Sequence, residues 1–332
     1  MGFKNIAGNS RVKRILSTAL QRHRVPNSLL FCGPDGVGKT AMAMTLAKAL
    51  NCKAGKDDAC EECDFCKAIE AGRFPDVLGI APEKDVIKIE QMRFIKQMAY
   101  LKPFSGTRRV FIVEQAEKMN EESANSLLKV LEEPPSFTHI ILVTSNPFLV
   151  LPTIRSRCQV LSFSTIGREE IERILAERGY PGEQAKVLSI IVGGNLELAM
   201  GRDWEEVRKY RQSAWELFLS LLGGKGSSDF LSAYVFQQRA AAKDEFERKM
   251  EMFASFCRDI ILIKEHGESR YLLNPDLEEA LRGAEGQWSL ERVQDGLDRT
   301  DSVLAGLSGN RNLNMNLQAA VYYSNFGEWN HV

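Results

Sequence analysis

The run Gly33-Pro34-Asp35-Gly36-Val37-Gly38-Lys39-Thr40 fits G-x-x-x-x-G-K-[ST], and its surroundings constrain the fold more than any other feature. Before it stands an apolar strand candidate, Leu29-Leu30-Phe31-Cys32; after it comes a helix candidate, Thr40 to Leu50, rich in Ala, Met and Leu. A strand feeding a helix through such a loop builds a phosphate cradle. Glycines let the backbone wrap a phosphate closely, and the N–H groups of the loop and of the helix start point at it. Gly33, Pro34, Asp35, Gly36, Val37 and Gly38 are therefore candidate nucleotide-binding residues. Lys39 is expected to reach the terminal phosphates and Thr40 to offer a hydroxyl to Mg²⁺.

The rest of residues 1–165 agrees with that start. Ser10 to Gln21 has apolar residues at helical spacing, with Ser10 as a candidate N-cap. Arg109 to Val113 and His139 to Thr144 read as buried strands. Between them, Ala124, Leu127, Leu128 and Leu131 mark a helix that Pro134-Pro135 stops. Continuously apolar strands alternating with helices predict an α/β domain with a parallel sheet covered on both faces. After Phe163 the strand signal disappears, and short helices are expected over 167–205 with a turn at Gly193-Gly194-Asn195. From about residue 208 the pattern is helical, with a break at Gly223-Gly224-Lys225-Gly226-Ser227-Ser228.

Three further constellations carry chemistry. The second strand ends Val113-Glu114-Gln115-Ala116-Glu117. In a phosphoryl-transfer site this strand end supplies a metal carboxylate and then a carboxylate that activates water. Glu114 can stand near the metal. Gln115 can orient water but cannot take its proton. Glu117, further on, is expected to point elsewhere. The third strand ends Thr144-Ser145-Asn146, which offers Asn146, Ser145 and Thr144 as candidate contacts to a γ-phosphate or its water. Cys52, Cys60, Cys63 and Cys66 are spaced C-x7-C-x2-C-x2-C, which suits a closed tetrahedral Zn²⁺ site, with a redox pair or an iron–sulfur cluster as the alternatives. Cys32, Cys158 and Cys257 lie apart from it.

The formal net charge of −1 over 332 residues gives no global field toward nucleic acid or anionic membrane. No apolar run is long enough for a membrane span, and Met1 to Asn5 opens no signal peptide, so a cytoplasmic location is expected. Arg108, Arg109 and Lys129 are candidates for local contact with DNA phosphates.

The ordered set of motifs resembles the AAA+ clamp-loader family of bacterial DNA polymerase III. It comprises the P-loop, the four cysteines, Gly72-Arg73-Phe74-Pro75-Asp76, Lys118-Met119-Asn120, Leu131-Glu132-Glu133-Pro134-Pro135 and Ser156-Arg157-Cys158, with Asn310 to Tyr322 similar to the last helix of the family's collar. The resemblance implies a RecA-like AAA+ core at 1–165 with a zinc module at 52–66, a small helical lid at 166–207 and an all-α collar at 208–332. It implies a five-subunit ring with gamma/tau motor subunits and a delta subunit, acting on a sliding clamp and primed DNA as part of a DNA-directed DNA polymerase holoenzyme. Arg157 matches the arginine that reaches the ATP of an adjacent subunit. Gly194 to Ala199 places Glu197 where motor subunits carry an arginine. With Glu114 and Gln115 also altered, the resemblance implies a stator of the delta-prime type, with weak or absent ATP hydrolysis of its own. A gamma/tau-type motor and a P-loop nucleotide kinase are the other readings.

Overall fold

In a computed structural model, the chain is described over residues 2–55, 57–200, 203–222, 240–309 and at Tyr322. The 223–228 break and the stretch 310–321 lie outside the described residues. The chain divides into two compact units, Met1–Tyr180 with Val192–Met200 and Pro181–Ile191 with Gly201–Val332.

The first unit is a three-layer α/β domain. Helix α1 (Ser10–Gln21) precedes β1 (Ser28–Cys32), α2 (Lys39–Asn51) and α3 (Asp64–Glu70). Strand β2 (Val77–Ile80), α4 (Ile89–Ala99), β3 (Arg109–Val113), α5 (Glu121–Glu132) and β4 (Thr138–Thr144) follow. The unit continues with α6 (Pro152–Arg155), β5 (Gln159–Ser162) and α7 (Arg168–Glu177). Helix α8 (Gly182–Ile191) belongs to the second unit, and α9 (Leu196–Met200) returns to the first. The five strands are all parallel, in the order β2-β3-β4-β1-β5. This is a parallel α/β core with the P-loop sequence between β1 and α2.

The period-2 alternation of each strand divides the core in two. Leu30, Phe111, Val113, Ile140 and Leu142 pack with Met92, Ile95, Leu127 and Ile154 of α4, α5 and α6. Leu29, Phe31, Val110, Ile112, Ile141 and Val143 pack with Leu16 and Leu20 of α1 and Met42 and Leu46 of α2. Each central strand is therefore buried at every position and apolar along its middle, because both its faces are covered.

Helix α1 starts differently from its sequence reading. Asn9, in the left-handed region at φ 50, holds the N-cap position and makes no side-chain capping bond. Its amide is committed elsewhere: Nδ2 donates to the carbonyls of Val37 and Ser164, and Oδ1 accepts from the Ser164 N–H. Ser10 is the first helical residue. Helix α5 has a side-chain cap, the Asn120 Oδ1 accepting from the Ser123 N–H at 2.9 Å.

Arg109, a candidate DNA contact from sequence, is instead a core residue, 3% exposed. Its guanidinium pairs with the fully buried Asp76 at 2.8 Å and donates to the carbonyls of Met98, Leu101 and Lys102. Asp76 also accepts the N–H groups of Phe104, Ser105 and Gly106 at 2.7–2.8 Å. The sequences Phe74-Pro75-Asp76 and Phe104-Ser105-Gly106 are thus halves of one buried knot. Burial alone would raise the Asp76 pKa, but Arg109 and the three N–H donors hold it below the usual carboxylate range. Asp76→Asn leaves a buried guanidinium without its counter-charge and is expected to cost about 3–5 kcal/mol. The check is the denaturant midpoint of the full chain. The folded pKa is depressed, so the pair's contribution is complete above the unfolded value of about 4 and is lost as pH falls through the folded one. The gap between wild type and variant is therefore expected to close only at acidic pH. A midpoint unchanged at neutral pH would show that the pair is dispensable.

The second unit, over its described residues, is helical: α8, α10 (Trp204–Leu222), α11 (Ala240–Lys264), α12 (Glu278–Glu285) and α13 (Leu290–Gly309). Its core is aromatic, with Trp215, Phe218, Phe253, Phe256 and Trp288 at centroid separations of 5.2–6.4 Å where paired. A polar network links Asp259, Asn274, Arg211 and Asp276 beside it. No described helix is long and apolar enough to cross a membrane.

Candidate functional site

Parallel strands that all end on one edge, with the loop after β1 opening α2, place the site at their carboxyl ends. Gly36 and Gly38 have φ of +71° and +87°, a region that penalises any side chain. Gly36 has a second reason: a Cβ there would lie 1.7 Å from the Asn195 Oδ1. Asn195 itself caps α9 by accepting the Leu198 N–H. Lys39, 6% exposed, donates to the carbonyls of Gly33 and Pro34 at 2.6 and 2.5 Å and lies 3.6 Å from Asp35. Burial lowers the Lys39 pKa, opposed by Asp35 and Glu117.

A cleft of about 1020 Å³ surrounds the loop. Asp35 to Ala41, including Thr40, form one wall. Glu114, Gln115 and Glu117 from the end of β3, and Thr144 and Ser145 from the end of β4, form another. Gln115 adopts the left-handed conformation at φ 49 and is exposed. This turn folds residues 116–118 into a single 3-10 turn and brings Glu117 back toward β4. The expectation that Glu117 points elsewhere is therefore corrected. It lines the cleft and accepts from the Ser145 hydroxyl at 2.8 Å and from the Ser145 N–H at 3.3 Å. Burial would raise the Glu117 pKa, but hydrogen bonds from Thr144 and Ser145 keep it below the usual range. A carboxylate held ionised in this way is a weak proton acceptor.

Asn146 lies outside the cleft lining. It is exposed, and its Oδ1 accepts the Phe148 N–H at 3.0 Å, closing a turn. Thr144, the last residue of β4, and Ser145, the next one, are the candidates from this segment that reach the cleft. The opposite side was not legible in the sequence. Asn5, Ile6 and Ala7 approach from the N-terminal segment, Ile174 from α7 and Met200 from α9. Nothing in their local spacing signals this, because the cleft gathers them across more than half the chain. The side chain of Glu197 lies outside the described residues.

The four cysteines converge at the far end of α2, where Cys52 follows Asn51. The four sulfurs lie within 4.8 Å of one another. A tetrahedral metal with bonds of about 2.3 Å needs sulfurs about 3.8 Å apart, so small shifts suffice. Backbone N–H groups already point at the sulfurs: Gly55 and Cys60 donate to Cys52, Cys63 to Cys60, and Cys66 to Cys63, at 3.1–3.5 Å. Burial opposes a thiolate at Cys63, yet donors from Cys66 and Lys53 bring its pKa down to about 6. The cluster can hold a metal ion. Its attachment to α2 is ionic: Lys48, 1% exposed, donates to Glu61 at 3.1 Å and also pairs with Glu70.

Arg157 is exposed on the segment after α6. Its Nε donates to Glu132 Oε1 at 2.7 Å and its Nη1 to the Thr153 carbonyl at 2.9 Å. It does not line its own chain's cleft. Arg108 is half-buried, donating to the Ser136 carbonyl, and Lys129 is exposed.

A family model described as DNA polymerase III, delta subunit, matches residues 8–167. The chain is 29% identical to the DNA polymerase III subunit delta' of Bacillus subtilis, over 92% of this chain and 91% of that protein. It is 35% identical to the tau subunit of the same organism over 51% of this chain, which spans 30% of that longer protein. Among solved structures, a gamma subunit-related protein from Thermotoga maritima aligns over 94% of this chain and 99% of its own, at 20% identity and a TM-score of 0.45. The chain is thus similar to delta' along nearly the whole of both proteins, and it shares with the tau relative the part that the family model matches.

Proposed function

We propose that the chain is a stator-like clamp-loader subunit of the delta-prime type, helping to load a sliding clamp onto primed DNA in DNA replication. In this reading residues 1–165 are the nucleotide-type core, 166–207 a lid and 208–332 a collar that joins gamma/tau motor subunits and a delta subunit in a ring. The observation that carries it is the contrast inside one cleft. The phosphate loop is complete, while Gln115 stands at the water-activating position and Glu117 is held ionised by Ser145. Backbone N–H groups of Gly36 to Thr40, with Lys39, would hold the phosphates of ATP, and the Thr40 hydroxyl and Glu114 would face Mg²⁺. Bound Mg²⁺ would supply charge neutralisation. Without a general base the expected cost is about 10²–10⁴ in rate. The metal assigned to the cysteines is Zn²⁺, in a closed structural role and in the reduced thiol state of a cytoplasmic setting.

The test is single-turnover ATP hydrolysis by the full-length chain alone. Wild type is expected to bind ATP and hydrolyse it slowly or not at all, and Gln115→Glu to hydrolyse it faster. Wild-type turnover matching that of isolated gamma/tau subunits would sink the stator reading and make the chain a motor. Phosphate transfer to a nucleoside monophosphate would make it a kinase instead.

A further inference from the structure

The first 34 residues carry six lysines and arginines and no carboxylate, in a chain whose overall charge is close to balanced. The structure sorts these cations. Lys4 and Lys13 line the cleft, Lys13 donating to the Ile6 carbonyl. The remainder lie on or just after α1. That helix buries Val12, Leu16 and Leu20 on one stripe. At 100° per residue, Arg11, Arg14 and Arg22 fall on the opposite stripe, and all three are exposed, as is Arg24 just beyond.

The side chains of these four arginines make no hydrogen bond or ion pair among the described residues. Arg109, Arg157, Arg211, Arg282 and Arg299, by contrast, each pair with a carboxylate. Asp57, a carboxylate in contact with the end of α1, accepts from Gln21 rather than from an arginine.

A row of unneutralised guanidinium groups on a rigid helix fits a polyanion. Its length decides which kind. Arg11 to Arg22 spans about 16 Å of helix axis, and phosphates of one DNA strand follow each other every ~3.4 Å of rise, so several phosphates lie within reach. Planar forks match phosphate oxygens in pairs. A protein partner would want an apolar centre to its interface, and a membrane would want apolar anchors. None of the large exposed hydrophobic side chains among the described residues lies on α1.

We propose that the Arg11, Arg14 and Arg22 stripe of α1, with Arg24, is a contact surface for the phosphate backbone of DNA, separate from the nucleotide cleft. It does not depend on Arg157 or on the chain's own ATP chemistry. The experiment compares wild type with an Arg11→Ala, Arg14→Ala, Arg22→Ala triple variant, as the full chain within its reconstituted assembly. Binding of fluorescein-labelled duplex and of labelled single strand is followed by anisotropy across a salt series. On duplex, three lost contacts are expected to reduce the slope of log affinity against log salt by about 2.7; on single strand, by about 2. The arm in which the slope falls identifies the form of DNA bound. An Arg→Lys triple variant keeps the charge and is expected to restore the slope, which separates lost contacts from lost folding. An unchanged slope in both arms would overturn the proposal. So would weakened subunit assembly with the slope intact, which would mark the row as a protein contact.

Discussion

If the chain is the stator proposed above, Arg157→Ala is expected to collapse ATP hydrolysis at a neighbouring motor subunit's site while leaving this chain's own fold and ATP binding intact. An arginine supplied in trans to a phosphoryl-transfer site is worth about 10³–10⁵ in rate, so the loss at that one site should be near complete. The other motor sites dilute it in the bulk rate. The structure makes the side chain available. It sits outside its own cleft, on a surface, tied to Glu132 by a partly exposed ion pair. Such pairs are worth about 0–1 kcal/mol, so redirecting the guanidinium toward a neighbour's phosphates costs little. Arg157→Lys keeps the charge but loses the planar fork, and is expected to recover only part of the rate. The measurement is DNA-stimulated ATPase of the reconstituted assembly, with size exclusion confirming that assembly is intact. A bulk rate that does not move would reduce Arg157 to a surface charge paired with Glu132.

The second large effect concerns the cysteine module. The full-length chain is expected to carry one equivalent of zinc, released stepwise by a mercurial reagent and detected with a zinc-responsive dye. Structural zinc in small peptides contributes about 10–16 kcal/mol of apparent binding free energy, most of which is folding free energy. Polar residues of 53–64 leave little apolar surface to hold the segment without it. Cys60→Ser is therefore expected to lose the metal, to open 52–66 to protease and to lower the thermal midpoint. Full metal content in Cys60→Ser would show the cluster is not the ligand set, and visible absorbance from iron and sulfide would replace zinc with the alternative cluster. The damage should extend beyond the module, because displaced Glu61 and Glu70 leave Lys48 buried without a counter-charge.

Legibility in the sequence followed burial. β1, β3 and β4 are read directly because both their faces are covered and each carries an unbroken apolar run. The edge strands β2 and β5 escape notice. Val77 to Ile80 contains an exposed glycine, and Gln159 to Ser162 is exposed at three positions out of four, so neither shows a continuous apolar run. The cysteine cluster is legible because thiol ligands close in sequence need no tertiary information to meet. Arg109 is not, since a buried ion pair and a solvated basic residue are spelled with the same letter. Glu117 is misdirected for a local reason: nothing in Gln115 announces the left-handed turn that swings the carboxylate back. The far wall of the cleft depends on contacts between segments more than a hundred residues apart, which no short-range pattern encodes.

Helix α2 runs about 20 Å from the phosphate loop to the cysteine module. Helices ordinarily fray at their last turn, where carbonyls lack partners. Here that turn is clamped by Lys48 to two glutamates, by the Asn51 side chain to the backbone of Thr107 and Arg108, and by Cys52 to the metal site. A rod fixed at both ends cannot absorb a displacement by loosening one of them. The turn that begins with Lys39 and the cysteine module are thus the two ends of one helix whose last turn is tied down by side chains.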